Sequence, residues 1–201
     1  MALFEAISSE SDRRRYRVKS PVTLETIGEF DAATREDVVA AVERARKAQS
    51  DWATRSFDER AKVLWRLVDE LVKRQDDIVD VVVQETGKPR NEAISMEVVA
   101  PCMQISHYAK HARRYLKTRR RRASGLMRFS KKVTLVHQPL GVVGLITPWN
   151  GPVALAANPM AQALMAGNAV VHKPSEVTPL SALLLEELTR AAGFPEGLYQ
   201  V

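Results

Sequence analysis

Cysteine is scarce in this sequence, with one in 201 residues, which excludes an internal disulfide framework and a four-cysteine zinc site. No apolar stretch approaches the roughly 18 residues of a transmembrane helix. The N-terminus carries acids and arginines where a signal peptide needs an apolar core. The chain is otherwise of ordinary globular composition, with 45% hydrophobic and 27% charged residues. These features predict a cytoplasmic protein that binds no membrane.

Acidic residues are absent from positions 98–175, a stretch that holds 12 of the 30 basic residues. The rest of the chain has 18 basic against 24 acidic residues. The densest basic run is Arg119–Arg122. Clustered cations can bind a polyanion such as nucleic acid, but no aromatic residues lie between these arginines for base stacking. A solvated helix end and loop, or a face that meets an acidic partner surface, is therefore favoured over a nucleic-acid module.

Helical periodicity dominates the first half of the chain. Residues 16–30 predict short strands or an extended arm, and Thr34 to Trp52 predicts an amphipathic helix with a capping box. Ser56 starts a second helical region that ends at a glycine–proline signal at 87–89. A third region covers residues 91–117, with Pro101 as a kink or restart.

Strand patterns alternate with helices in the second half. Residues 131–138 predict an exposed strand, and the almost wholly apolar run 142–146 predicts a strand buried on both faces. Two further strands are predicted at 169–172 and 198–201, with a helix before each. This order predicts an α/β fold: an N-terminal helical layer and a doubly wound parallel sheet.

Two loops follow the first two parallel strands, at 147–152 and 173–176. Ligands bind at the carboxyl ends of such strands. Asn150 offers neutral N–H donors that suit a developing oxyanion, and Glu176 beside Lys173 could accept hydrogen bonds from ribose hydroxyls. The alternative is that Asn150 caps the next helix while Lys173 and Glu176 are solvated loop charges.

Other chemical candidates are weaker. The G-x-G-x-x-G fingerprint of conventional dinucleotide sites is absent after the first of these strands. Cys102 lies on an apolar helical stretch and is interpreted as a buried, inert thiol. His107 and His111 have helical spacing but no third ligand nearby in sequence, so a solvated helix face is favoured and no metal is predicted. His137 and His172 are interpreted as packing or surface residues.

The motifs together resemble a known family. Residues 139–150 (PLGVVGLITPWN) and 166–176 (AGNAVVHKPSE) closely resemble the aldehyde dehydrogenase superfamily. Residues 85–89 (ETGKP) and 193–197 (GFPEG) support the resemblance, which extends over roughly residues 20–201.

The resemblance implies oxidation of an aldehyde to a carboxylic acid with NAD as the cofactor and NADP as the alternative. It assigns oxyanion stabilisation to Asn150 and cofactor binding to a second set: Ile146, Thr147, Pro148, Trp149, Lys173, Ser175 and Glu176. Family members use a cysteine nucleophile and a glutamate general base that fall after residue 201. We therefore expect an incomplete sheet and no aldehyde oxidation by this chain alone.

The resemblance also implies a division of the chain. It comprises an N-terminal extended segment (1–30), a helical part of the cofactor-binding domain (31–129), an oligomerisation-arm strand (130–139) and the first βαβαβ portion of the NAD(P)-binding domain (140–201). The implied partners are a small aldehyde and either further copies of the chain or a complementary C-terminal fragment. A non-catalytic remnant remains the alternative. An exposed sheet edge predicts that the isolated chain aggregates or needs a partner.

Overall fold

The computed structural model describes residues 4–7 and 14–201. The first sheet is antiparallel, with strand order β1-β2-β3. Its strands are β1 (Phe4–Ile7), β2 (Arg15–Lys19) and β3 (Thr26–Asp31). The strands predicted within 16–30 are confirmed, while positions 1–3 and 8–13 of the predicted N-terminal segment lie outside the described residues. Gly28 of β3 packs closely against the helix at 179–191, because a Cβ there would lie 3.0 Å from the side chain of Leu180.

A helical layer follows this sheet. It contains α1 (Arg35–Thr54), α2 (Phe57–Lys73), α3 (Gln75–Thr86), α4 (Arg90–Ile94), a π-helical turn (Ser95–Val99) and α5 (Ala100–Leu116). Capping boxes at Thr34 and Ser56 begin α1 and α2 as predicted. Gly87 ends α3 in the left-handed conformation at φ 72°, where glycine carries no Cβ penalty.

The helical region predicted at 91–117 is interrupted by the π-helical turn rather than by a kink alone. Pro101 falls in the first turn of α5, a position that tolerates its missing N–H. The wider turn directly before it carries Glu97 and Val98 into the interior. The break thus places a carboxylate in the core.

The arginine run forms a strand, which corrects the expectation of a helix end and loop. Strand β4 (Arg119–Arg122) pairs antiparallel with β5 (Lys132–Leu135), and a 3₁₀ turn (Gly125–Phe129) lies between them. Pairing with the β-branched residues of β5 decides the conformation of an arginine run whose own preference is helical. The exposed strand predicted at 131–138 is confirmed over Lys132–Leu135.

The last sheet is parallel, with strand order β6-β7-β8. Its elements are β6 (Val142–Ile146), α6 (Ala154–Met165), β7 (Ala169–Lys173), α7 (Pro179–Ala191) and β8 (Tyr199–Gln200). The prediction of a parallel α/β sheet is confirmed. The prediction that 142–146 is buried on both faces is wrong, because Gly144 and Ile146 of β6 are exposed, Ile146 by 80%. Apolar composition indicates a tendency to be buried, but it does not show whether another layer covers each face of the strand.

One hydrophobic core joins the helical layer to the parallel sheet. Trp52 of α1 is fully buried, and its Nε1 donates a hydrogen bond to the carbonyl oxygen of Leu164 in α6, 2.8 Å away. The helical layer therefore packs directly under the helices that follow β6 and β7.

Candidate active site

The carboxyl ends of β6 and β7 lie side by side. Ile146 and Lys173 are register partners at the last positions of the two strands. One residue later, the backbone N–H of Thr147 donates to the carbonyl oxygen of Lys173 at 3.3 Å. The loops 147–152 and 173–176 therefore leave the sheet from adjacent points on the same edge, as expected for a ligand-binding edge.

Asn150 is exposed in the first loop, and its backbone is tethered there. The Nζ atom of Lys88 donates to its carbonyl oxygen at 3.0 Å. The residue that caps α6 is Val153, and no side chain makes a capping hydrogen bond to this helix locally. The alternative that Asn150 caps α6 is therefore wrong, and Asn150 remains exposed.

Glu97 supplies the cap from the helical layer, a role that local sequence patterns did not reveal. Its fully buried carboxylate accepts hydrogen bonds from the backbone N–H groups of Val153 and Ala154, both at 3.0 Å. The second carboxylate oxygen lies 2.6 Å from Nζ of Lys88. The sequence could have indicated this role only through an absence. The N-cap of α6 is not a Ser, Thr, Asp or Asn, so the first N–H groups of the helix need an acceptor from elsewhere.

The second loop carries an exposed ion pair. Nζ of Lys173 lies 3.2 Å from a carboxylate oxygen of Glu176. A hydrogen bond from its own backbone N–H, and then the bond to Lys173, hold the pKa of Glu176 below its ordinary value. Ser175 between them is buried and accepts a hydrogen bond from the N–H of Val177 at 3.4 Å, which turns the chain toward α7. Both charged groups remain accessible to a ligand.

Glu85 of α3 caps α7 in the same way. Its buried carboxylate accepts hydrogen bonds from the N–H of Leu180 at 2.6 Å, from the N–H of Ser181 at 3.0 Å and from the Ser181 hydroxyl. Burial raises the pKa of Glu85 to about 7, against the lowering effect of these three donors. The helix after each site loop is thus capped by a buried glutamate of the helical layer.

His172 links the three parallel strands below the site. Its Nε2 lies 2.8 Å from the hydroxyl of Thr147 and its Nδ1 lies 2.7 Å from the hydroxyl of Tyr199. Burial, and then the positive charge of Lys173, lower the pKa of His172 to about 4. The neutral imidazole can donate through one nitrogen and accept through the other. His172 is therefore a packing residue, as predicted, with both ring nitrogens engaged.

The residues expected along the cofactor present an apolar surface at this edge. Ile146 and Trp149 are 80% and 58% exposed, whereas Thr147 is buried. Exposed apolar side chains beside an accessible ion pair suit a nucleotide, which combines flat rings with a polar ribose. The residues present thus fit a dinucleotide cofactor.

The remaining candidates lie away from this edge. Cys102 is half-buried on α5, and burial raises the pKa of its thiol, opposite to what an activated nucleophile requires. One ring nitrogen of each helical histidine is already engaged: Nδ1 of His111 lies 2.8 Å from the backbone oxygen of His107, and Nε2 of His107 lies 3.0 Å from the hydroxyl of Tyr115.

The described residues contain neither a metal-binding cluster nor a membrane-spanning helix. No group of three or more His, Cys, Asp or Glu side chains over 4–7 and 14–201 is placed to hold a metal ion. In the same part of the chain, every helix is too short or too polar to span a bilayer.

Comparisons with known proteins identify relatives over nearly the whole chain. A family model described as "Aldehyde dehydrogenase family" matches residues 7–201. A protein of Mycolicibacterium smegmatis named "Putative succinate-semialdehyde dehydrogenase (NADP(+))" is 38% identical over 196 residues, which are 98% of this chain and 37% of that protein. The chain thus spans well under half the length of this curated relative.

Solved structures give the same result. Succinate-semialdehyde dehydrogenase from Burkholderia pseudomallei matches with a TM-score of 0.86 and 32% identity, covering 93% of this chain and 38% of that one. An NADP-dependent glyceraldehyde-3-phosphate dehydrogenase from Bacillus halodurans, complexed with NADP, matches with a TM-score of 0.85 and 33% identity, covering 93% and 40%.

Proposed function

The chain belongs to the aldehyde dehydrogenase family, and from this premise we propose that it supplies the oxyanion-binding and cofactor-binding edge for NAD(P)-dependent oxidation of an aldehyde to a carboxylic acid. The observation that carries the proposal is the hydrogen bond from Thr147 N–H to the Lys173 carbonyl. It joins the two loops that, together with Ile146 at the end of β6, bear the predicted site residues.

Asn150 is the proposed oxyanion donor. Asn150 is exposed, and its backbone carbonyl accepts a hydrogen bond from Nζ of Lys88 at 3.0 Å. A neutral amide N–H donor held at this position would stabilise the negative charge that develops on the aldehyde oxygen during attack. The attacking group comes from elsewhere, because Cys102 is the one cysteine of the sequence and its environment disfavours the thiolate.

The cofactor, when bound, accepts the hydride. We propose that Lys173 and Glu176 hold the ribose hydroxyls of its adenosine half, while Ile146, Thr147, Pro148, Trp149 and Ser175 line its path. The Glu176 carboxylate favours NAD because it would repel a 2′-phosphate. The adjacent Lys173 ammonium attracts that phosphate, and two similar proteins carry NADP in their names. We therefore propose that the edge accepts both cofactors.

The proposed substrate class is a small aldehyde with a carboxylate, by similarity to proteins named for succinate semialdehyde. We also propose that the β4–β5 hairpin serves as an oligomerisation arm. Its turn presents Leu126 and Phe129 at 88% and 75% exposure. An acidic, apolar surface on another copy or on a complementary segment would match this hairpin.

Calorimetric titration of NAD⁺ and NADP⁺ into the chain tests the proposed site. Saturable binding is expected, weakened about tenfold or more by Lys173→Met, whose charge-assisted hydrogen bonds to the cofactor would be lost. Glu176→Gln is expected to weaken NAD⁺ and favour NADP⁺. The exposed Lys62 of α2 provides a matched control, and Lys62→Met should leave both affinities unchanged. Absence of binding by the folded chain, or equal effects of the three variants, would overturn the proposal.

A further inference from the structure

Two helices of the parallel sheet begin without a local cap. Neither α6 nor α7 has a side-chain hydrogen bond from its own N-cap residue. A helix start leaves four backbone N–H groups without intrahelical partners, and burial of those groups is costly unless an acceptor is supplied. In both helices the acceptor is a glutamate far away in sequence.

We propose that Glu97 and Glu85 are positioning residues: each fixes the start of one helix from below and thereby holds the site loop that precedes it. Glu97, together with Lys88, holds the Asn150 loop, and Glu85 holds the Lys173–Glu176 loop. The inference rests on the proposed function, because it assigns these glutamates to the cofactor edge.

Hydrogen bonds connect Glu97 to Asn150 through Lys88. One carboxylate oxygen binds the N–H groups of Val153 and Ala154, and the other binds Lys88, whose Nζ continues to the Asn150 carbonyl. Gly151 lies against this carboxylate, since a Cβ at that position would lie 3.7 Å from Oε1 of Glu97. Both ends of the turn that carries Asn150 are therefore tied to one buried charge.

Glu85 acts on the second loop through α7. Its two oxygens engage Leu180 and Ser181, four and five residues after the ion-paired Lys173–Glu176 segment has ended. Among the described residues Glu85 forms no ion pair, and its carboxylate accepts its hydrogen bonds from the start of α7. This contact sets where α7 begins and hence the span left for the loop.

Buried charges of this kind are weak evidence for stability, since apolar replacements of similar shape are often neutral or stabilising. They are better suited to fixing geometry. Each of the two buried glutamates contacts the helix directly after a site loop. Positioning of the loops therefore explains these glutamates better than a contribution to stability does.

Residue-specific amide hydrogen exchange by NMR tests the proposal on the whole chain. Glu97→Gln should accelerate exchange at Val153 and Ala154 about tenfold or more, while Leu180 and Ser181 keep their rates. Glu85→Gln should do the reverse. Because each variant is the control for the other, a general loss of stability would accelerate both pairs and overturn the proposal.

Dinucleotide affinity provides the second measurement. Lys88→Met should weaken NAD⁺ at least about fivefold, Lys88→Arg should restore most of that loss, and exposed Glu92→Gln should have no effect. Unchanged affinity in Lys88→Met would overturn the positioning role. If the wild-type chain binds no NAD⁺, the proposed function fails, whereas the paired exchange pattern still decides whether the two glutamates hold their loops.

Discussion

His172 and Tyr199 share a hydrogen bond of 2.7 Å between Nδ1 and the phenol oxygen in the interior of the parallel sheet. Burial raises the pKa of Tyr199 and lowers that of His172 to about 4. Both groups are therefore neutral over the physiological range, and the contact connects β7 to β8 without a net charge.

His172 predicts a gain in stability as the pH rises from about 4 to 6.5. The unfolded histidine, with a pKa of 6.5, binds more protons than the folded one in this window, so the unfolding free energy increases with pH. At about 1.4 kcal/mol per pKa unit the contribution reaches about 3 kcal/mol. Because Glu85 contributes the opposite slope between pH 4.5 and 6.5, urea unfolding at several pH values should show this rise in Glu85→Gln, and the double variant with His172→Gln should lack it. A rise of equal size in the double variant would contradict the assignment.

The raised pKa of Glu85 predicts that the free energy of unfolding falls as the pH rises. Its folded pKa of about 7 exceeds the ordinary value of 4.5, so the folded state binds more protons between these values. Its stabilising contribution is present below pH 4.5 and is lost as the pH rises through 7, by about 3 kcal/mol. Glu85→Gln should remove this loss. The two slopes offset each other between pH 4.5 and 6.5, so the wild-type curve should be nearly flat there and each single variant should show one slope.

The buried hydrogen bond from Trp52 to Leu164 predicts that Trp52→Phe lowers the free energy of unfolding substantially. Trp52→Phe removes the buried donor and leaves a cavity at the junction of α1 and α6, at a cost of about 2 kcal/mol. Trp65 is 41% exposed, so Trp65→Phe should change the unfolding free energy by less than about 0.5 kcal/mol. Equal urea midpoints for the two variants would show that the buried hydrogen bond does not matter.

A side chain at position 167 should lower the stability of the fold through steric contacts as well as through backbone strain. Its φ is +89°, and a Cβ would lie 2.6 Å from a guanidinium nitrogen of Arg60. Gly125 has a φ of +60° with open space around it, so Gly125→Ala measures the strain alone, about 1 kcal/mol. Gly167→Ala should cost more, about 2 kcal/mol, since the Arg60 side chain must move and the added Cβ also lies 3.0 Å from the Pro139 ring. Thermal unfolding of both variants compares the two costs, and equal shifts would exclude the contact.

The elements that the sequence predicted well are those specified by near neighbours. Thr34 and Ser56 cap their helices through residues three positions away, and Gly87 ends α3 through its own backbone. The site loops were located because strand, loop and helix follow one another directly. The family motifs added the roles of Asn150, Lys173 and Glu176, which remain proposals.

The features that sequence patterns missed depend on partners far along the chain. Glu97 caps a helix 56 residues away and Glu85 one 95 residues away. The arginine strand β4 requires pairing with β5. The exposure of Ile146 depends on which elements cover the end of β6. Local periodicity contains none of this information.

The long sequence separation of these two glutamates from their helices has a kinetic consequence. We expect the first turns of α6 and α7 to stay uncapped until the helical layer docks, and both site loops to reach their final shape late in folding. Substitutions at Glu85 and Glu97 should therefore speed unfolding while leaving the refolding rate almost unchanged.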